Sequence, residues 1–124
     1  MLAKLRKKTF VLNNKGNHFR DFTYIQDVIK ILVKLLRTKN AKEHKILNIC
    51  SNNPLKVSKI LNKINLLYGR PKIKYQKKLS IEVLKTHGSN LKLKKYINFN
   101  NFTKIDDGLL NLTIWAKKYL KKVK

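Results

Sequence analysis

A single cysteine, Cys50, stands in this chain of 124 residues. That excludes an intramolecular disulfide, and with no second thiol there is no Cys-rich metal site to build. A reducing compartment, the cytoplasm, is the expected home. The histidines, His18, His44 and His87, are scattered and lack the H-x-x-x-H spacing of a helical zinc site, so no metal is expected. Long apolar runs are also missing. Behind the basic start Met1-Leu2-Ala3-Lys4-Leu5-Arg6-Lys7-Lys8, the stretch Thr9-Phe10-Val11-Leu12 closes at once on Asn13-Asn14-Lys15-Gly16. A signal peptide needs a longer apolar core and a membrane span needs ~20 apolar residues, so neither is expected. Glycine is scarce, and no glycine-rich turn joins a strand to a helix with a ribose-binding acid some ~20 residues beyond it. A dinucleotide site is therefore not expected in this chain.

Acidic residues are the scarcest by contrast: six Asp and Glu stand against thirty Lys and Arg, for a formal net charge of +24 and a pI near 10.4. Such a balance favours polyanions, and a basic module binding nucleic acid or another polyanion is one reading of it. The excess is mostly Lys, accompanied by Asn and Ile, whereas base-reading surfaces also use Arg and aromatic platforms. Composition alone therefore accounts for much of the charge as solvated lysine. The length fits one domain, residues 1–124, and a hydrophobic fraction of 43% spread along the chain argues for a fold rather than disorder.

The pattern along the chain is mixed α/β. Thr9 to Leu12 and Phe19 to Ile25 read as two strands around the Asn-Asn-Lys-Gly turn. From Asp27, an apt N-cap, the residues Val28, Ile29, Ile31, Leu32, Leu35 and Leu36 recur at helical spacing. Lys45 to Ile49 is a compact strand pattern, and Ser51-Asn52-Asn53-Pro54 a turn that opens the next helix. That helix carries Leu55, Val57, Ile60, Leu61, Ile64 and Leu67 and stops at Gly69. Pro71 to Tyr75 reads as a short strand and Asn90 to Ile97 as a short helix. Thr103 to Asp106 fits a capping box opening a last amphipathic helix through Leu109, Leu112, Ala116, Tyr119 and Leu120, ahead of a frayed basic tail over 121–124.

The residues themselves carry a more specific likeness. Gly16-Asn17-His18-Phe19-Arg20-Asp21-Phe22-Thr23-Tyr24-Ile25-Gln26-Asp27-Val28 resembles the glycine and Arg-Asp-Phe-Thr-Tyr-Ile-x-Asp-Val stretch of nucleotide-sugar epimerases and dehydratases. These are extended short-chain dehydrogenases/reductases, and the likeness is greatest to the UDP-glucuronate 4-epimerase type. Ile46-Leu47-Asn48-Ile49-Cys50-Ser51-Asn52-Asn53-Pro54 resembles the family's Tyr-Asn-Ile-Gly-x-x-x-Pro, with Leu47 for Tyr and Cys50 for Gly. Lys92 to Lys95, Phe99, Thr103, Ile105, Asp107-Gly108-Leu109 and Trp115 fall where the family has its closing helices.

The resemblance implies the C-terminal, substrate-binding portion of such an enzyme: short strands with three to four helices, without the Rossmann half. In the family, bound NAD removes and returns a hydride while the Tyr of a Tyr-x-x-x-Lys pair moves a proton. This chain is expected to hold neither that pair nor the cofactor site, to be inactive alone, and to be one piece of a split enzyme or the remnant of a truncated gene. Its partners by resemblance are a UDP-sugar and a polypeptide carrying the Rossmann half. Arg20 is expected on the pyrophosphate, since a guanidinium stays protonated and forms bidentate, charge-assisted bonds to phosphate oxygens. The family's second determinant, Gly-Asp after an Arg or Gln and before a Thr, falls at Ser80 to Thr86. Glu82 stands for the Asp, Ile81 for the Gly and Leu79 for the basic residue, with Lys78 as a substitute for the lost charge. Tyr68-Gly69-Arg70-Pro71-Lys72 matches Tyr-x-x-x-Lys by letter only, because Gly and Pro break the helical turn that would align the two side chains. Asp106 and Asp107 read as acids favoured in a first helical turn rather than as a catalytic pair.

Overall fold

The computed structural model describes residues 3, 7–38, 44–77 and 80–122, with the side chains of 120–122 left aside. In chain order the elements are β1 (Phe10–Asn13), a 3-10 turn (Asn14–Gly16), β2 (Phe19–Asp21), α1 (Ile25–Leu36) and β3 (Pro54–Lys56). They continue with α2 (Val57–Tyr68), β4 (Ile73–Gln76), α3 (Leu91–Ile97) and α4 (Ile105–Lys122). Among the described residues the result is the expected α/β arrangement of short strands with four named helices.

The two early strands do not pair with each other. β1 runs parallel to β4, Phe10 opposite Ile73 through Asn13 opposite Gln76, while β2 runs antiparallel to β3, Phe19 opposite Lys56 through Asp21 opposite Pro54. The 3-10 turn throws the chain from one sheet to the other. Gly16 makes this possible: its φ is +73°, and a Cβ there would stand 2.9 Å from the main-chain nitrogen of Ser58 at the start of α2. Only glycine permits both that backbone and that approach.

The core forms where α1 meets α3. Ile31, Leu93 and Ile97 are buried together, and Leu35, Leu47, Ile49, Tyr96, Phe99 and Phe102 close around them. Leu47 and Ile49 approach as alternate residues, as a strand would present them. Yet no ladder forms over Lys45–Ile49, so the strand expected there is an extended segment only.

Helix ends account for two further differences. Tyr24, not Asp27, is the N-cap of α1, and Asp27 sits one turn in with its carboxylate buried. It accepts hydrogen bonds from the main-chain nitrogen of Thr103 at 2.7 Å and from Thr103 Oγ1 at 2.8 Å. The helix α4 starts at Ile105, two residues past Thr103, so among the described residues the expected capping box does not form and the Thr103 hydroxyl serves as a strut to α1. At the other end of α2, Gly69 terminates the helix at φ +76° as expected. α4 continues through Lys122, so the first half of the expected basic tail is helical, and Val123 and Lys124 lie outside the described residues. Asp106 and Asp107 do occupy the first turn of α4, where acids suit the dipole, and Asp106 also pairs with Lys63 of α2 near the surface.

Candidate functional site

The strand β2 is three residues long, and both expected determinants converge on it. β3 lies along one edge. On the other, the Phe19 nitrogen donates to the Leu84 carbonyl at 2.8 Å, the Thr86 nitrogen donates to the Phe19 carbonyl at 3.2 Å, and Lys85 bridges Phe19 in parallel. The loop after Ser80 is thus hydrogen-bonded beside the strand that carries Arg20. The motif separated by some sixty residues in sequence becomes one surface.

Arg20 is half-buried in the middle of β2, opposite Leu55. Its Nη1 donates to the carbonyl of Phe19 at 2.7 Å, which fixes one side of the guanidinium fork and leaves it without a carboxylate partner among the described residues. The obvious competitor is Asp21, and its carboxylate is used elsewhere. It accepts from Ser51 Oγ, from the Asn52 nitrogen at 3.0 Å and from the Asn53 nitrogen at 3.3 Å. Asp21 therefore shapes the 51–53 turn ahead of β3 and does not neutralise its neighbour. An arginine held by one carbonyl and left with open donors is suited to an anionic ligand.

Glu82 comes within reach of β2 but turns inward. Its Oε1 stands 3.5 Å from His18 Nδ1, with the two side chains only 12% and 11% exposed, and its Oε2 is buried without a hydrogen-bond partner. His18 escaped the sequence reading, where it was one of several scattered histidines. The signal that could have found it is its place immediately before Phe19, which the pairing of β2 with residues 84–86 brings beside the loop. Lys78 and Leu79 lie outside the described residues. His87 closes the far side, with Nε2 at 2.7 Å from Asn52 Oδ1. Burial pushes the Cys50 thiol up from its ordinary value, the Asp21 carboxylate pushes it the same way, and a main-chain hydrogen bond from Asn52 opposes both.

The remaining sequence candidates separate in space. Tyr68 is the last residue of α2 and Lys72 follows beyond the Gly69 cap, so no single helical face carries both. Among the described residues no group of His, Cys, Asp and Glu is arranged to hold a metal, and no helix is long and apolar enough to cross a membrane. A cavity of about 560 Å³, lined by His44, Lys45, Ile46, Leu47, Lys92, Lys95 and Tyr96, includes neither Arg20 nor Glu82.

The model of the NAD dependent epimerase/dehydratase family matches residues 1–50. Over these residues the chain is similar to the NAD-dependent epimerases and dehydratases. Protein CapI of Staphylococcus aureus is 27% identical over 88% of this chain and 38% of its own length. The UDP-glucuronate 4-epimerase of Thermodesulfobacterium geofontis is 26% identical over 95% of this chain and 36% of its own length. The solved structure of MoeE5 in complex with UDP-glucose and NAD superposes with a TM-score of 0.86 at 24% identity, covering 95% of this chain and 40% of that one. The fold is that of the C-terminal portion of extended short-chain dehydrogenases/reductases, and the chain spans well under half the length of the relatives it matches.

That placement bears on the cofactor, which the solved relative binds. Among the described residues no glycine lies in a strand-to-helix turn. Gly16 closes on Ser58, Gly69 caps α2, Gly88 packs on Cys50 and Gly108 on Tyr24.

Proposed function

We propose that this chain supplies the nucleotide-diphosphate-binding side of a nucleotide-sugar epimerase of the UDP-glucuronate 4-epimerase type, and that it turns nothing over by itself. The observation that carries this reading is Arg20: it lies within the stretch that resembles the family, on the strand beside the second determinant, with its guanidinium unmatched by any carboxylate among the described residues. In this role Arg20 holds the pyrophosphate while the sugar is free to turn. Glu82 Oε2, buried and without a hydrogen-bond partner among the described residues, accepts from a hydroxyl or N–H of the nucleotide; Lys78, four residues earlier in sequence, adds positive charge.

The test is a titration of the chain with UDP-glucuronate followed by ligand-observed NMR, repeated with Arg20→Ala and Arg20→Lys. Removing a charge-assisted contact to phosphate weakens binding by about 10- to 100-fold in the Ala variant. The Lys variant, which keeps the charge and loses the fork, falls between. Equal affinity of all three overturns the role of Arg20. Added NAD with UDP-glucuronate yields no 4-epimer, and robust turnover by the pure chain would overturn the claim of inactivity. The polyanion reading rests on net charge alone; binding to DNA that persists above ~0.2 M salt is the result that would revive it.

A further inference from the structure

His18 stands immediately before β2, and its main chain is committed: its carbonyl accepts from the Val57 nitrogen at 2.9 Å, at the start of α2. Its side chain is nearly buried, and so is that of Glu82, whose Oε1 lies 3.5 Å from His18 Nδ1. Neither His18 Nδ1 nor Glu82 Oε2 has a hydrogen-bond partner among the described residues. A nearly buried carboxylate beside a neutral imidazole is an uncompensated charge, whereas a proton on Nδ1 makes the same contact charge-assisted. The pair therefore has two states, and a single proton separates them.

The loop is fastened to β2 just beyond this contact. Phe19 donates to the Leu84 carbonyl, Thr86 donates back to the Phe19 carbonyl, and Thr86 Oγ1 accepts from the Asp21 nitrogen at 3.4 Å. Glu82 precedes that fastening, and among the described residues His18 is the side chain within ion-pair distance of it. Lys15, Arg20, Lys56, Lys59 and Lys85 are the cations on the elements around His18, and Asp21 and His87 are titratable there as well. Asp21 is taken up by the 51–53 turn and His87 by Asn52 Oδ1, so Glu82 is the acid that meets the imidazole. Arg20 follows His18 by two residues. The residue that sets the Glu82 carboxylate and the residue expected on the pyrophosphate thus share one short stretch of chain.

We propose that His18 is the positioning residue of Glu82: protonated, it holds Oε1 through Nδ1 and leaves Oε2 for a donor of the nucleotide, so that nucleotide affinity is highest at acidic pH. This rests on the reading of Arg20 and Glu82 as the nucleotide contacts. Histidine is the side chain that ordinarily changes charge between about pH 5 and pH 8. An imidazolium carries a proton on both nitrogens, so Nδ1 is then a donor to Oε1 in every molecule. The neutral ring carries one proton, and the tautomer with it on Nε2 sets a lone pair against the carboxylate. The imidazolium charge also offsets that of Glu82, which lessens the repulsion met by an anionic ligand. Both effects have one sign: the added affinity is present at low pH and is lost as pH rises through the histidine range.

The probe is UDP-glucose, whose pyrophosphate keeps its charge across this range, titrated against the full chain by ligand-observed NMR. Affinity is expected to fall about fivefold between about pH 5.5 and about pH 8, the difference between a charge-assisted and a neutral hydrogen bond. His18→Gln keeps a donor and cannot titrate; Glu82→Gln keeps the volume and loses the charge. Each flattens the profile, and the double variant binds no worse than the weaker single one, while His87→Gln keeps the slope. Where His18→Gln fails to fold, Glu82→Gln carries the test alone. A flat profile in the parent chain, or a slope that survives in either of these two variants, overturns the proposal. Binding that is lost in Arg20→Ala yet has a flat profile in the parent overturns it alone. No binding at either pH, or binding indifferent to Arg20→Ala, overturns the nucleotide reading as well, so the two failures are told apart.

Discussion

Between Gly16 and Val28 two carboxylates are gripped from several directions, whereas between Ser80 and Gly88 the main chain pairs with Phe19, Thr86 Oγ1 accepts from the Asp21 nitrogen, and the one acid, Glu82, has a single long contact. In the first stretch Asp21 gathers the 51–53 turn and Asp27 gathers Thr103, each carboxylate accepting more than one hydrogen bond. In the second, Glu82 faces His18 at 3.5 Å and keeps one oxygen without a partner. Asp21 and Asp27 are struts, and Glu82, the acid expected at the site, is only loosely engaged. The stiff stretch presents Arg20; the looser one is where a ligand has room to complete the contacts.

The largest test of that contrast is Asp27→Ala. It leaves the Thr103 nitrogen and hydroxyl without their acceptor in a buried place, and should cost about 3 kcal/mol of unfolding free energy, read by thermal melting. Glu82→Ala is the matching change in the second stretch and should cost no more than about 1 kcal/mol, because its ion pair is long and one oxygen is already unpaired. Equal losses from the two would erase the difference between the stretches. The smallest effect concerns Cys50, which sits where they meet, next to Asp21 and packed on Gly88. With its thiol held protonated more strongly than usual, alkylation by iodoacetamide at pH 8 should run about threefold slower than for a free cysteine. The sign for stability follows: the fold favours the thiol over the thiolate, so this contribution is flat below the ordinary thiol value and is lost as pH rises through it.

The helices were legible because their signals are local. Periodicity marked α1 and α2, and Gly69 stopped the latter where a left-handed residue was needed. β1, β2 and β4 were legible as segments but not as pairs, and β3 was read as the turn and start of the next helix: β1 and β2 have four and three residues, and their partners β4 and β3 lie much further along the chain. A pattern that short specifies extension, not register. Asp27 reads the same in sequence whether it caps its own helix or reaches across the fold, and only the position of Thr103 decides. The segment over 45–49 has a strand's composition, while a ladder needs a neighbour that no local pattern supplies. Of the expected site, Arg20 and Glu82 come to neighbouring strands of chain, the His18 contact to Glu82 was not foreseen, and Lys78 falls outside the described residues.

The bond from Thr103 to Asp27 spans 76 residues. On a ribosome, α1 emerges long before the residue that satisfies its buried carboxylate has been added to the chain. The helix therefore waits, its acid still hydrated, until Thr103 has been added, and a nascent chain stalled short of Thr103 should remain sensitive to protease across the whole of α1.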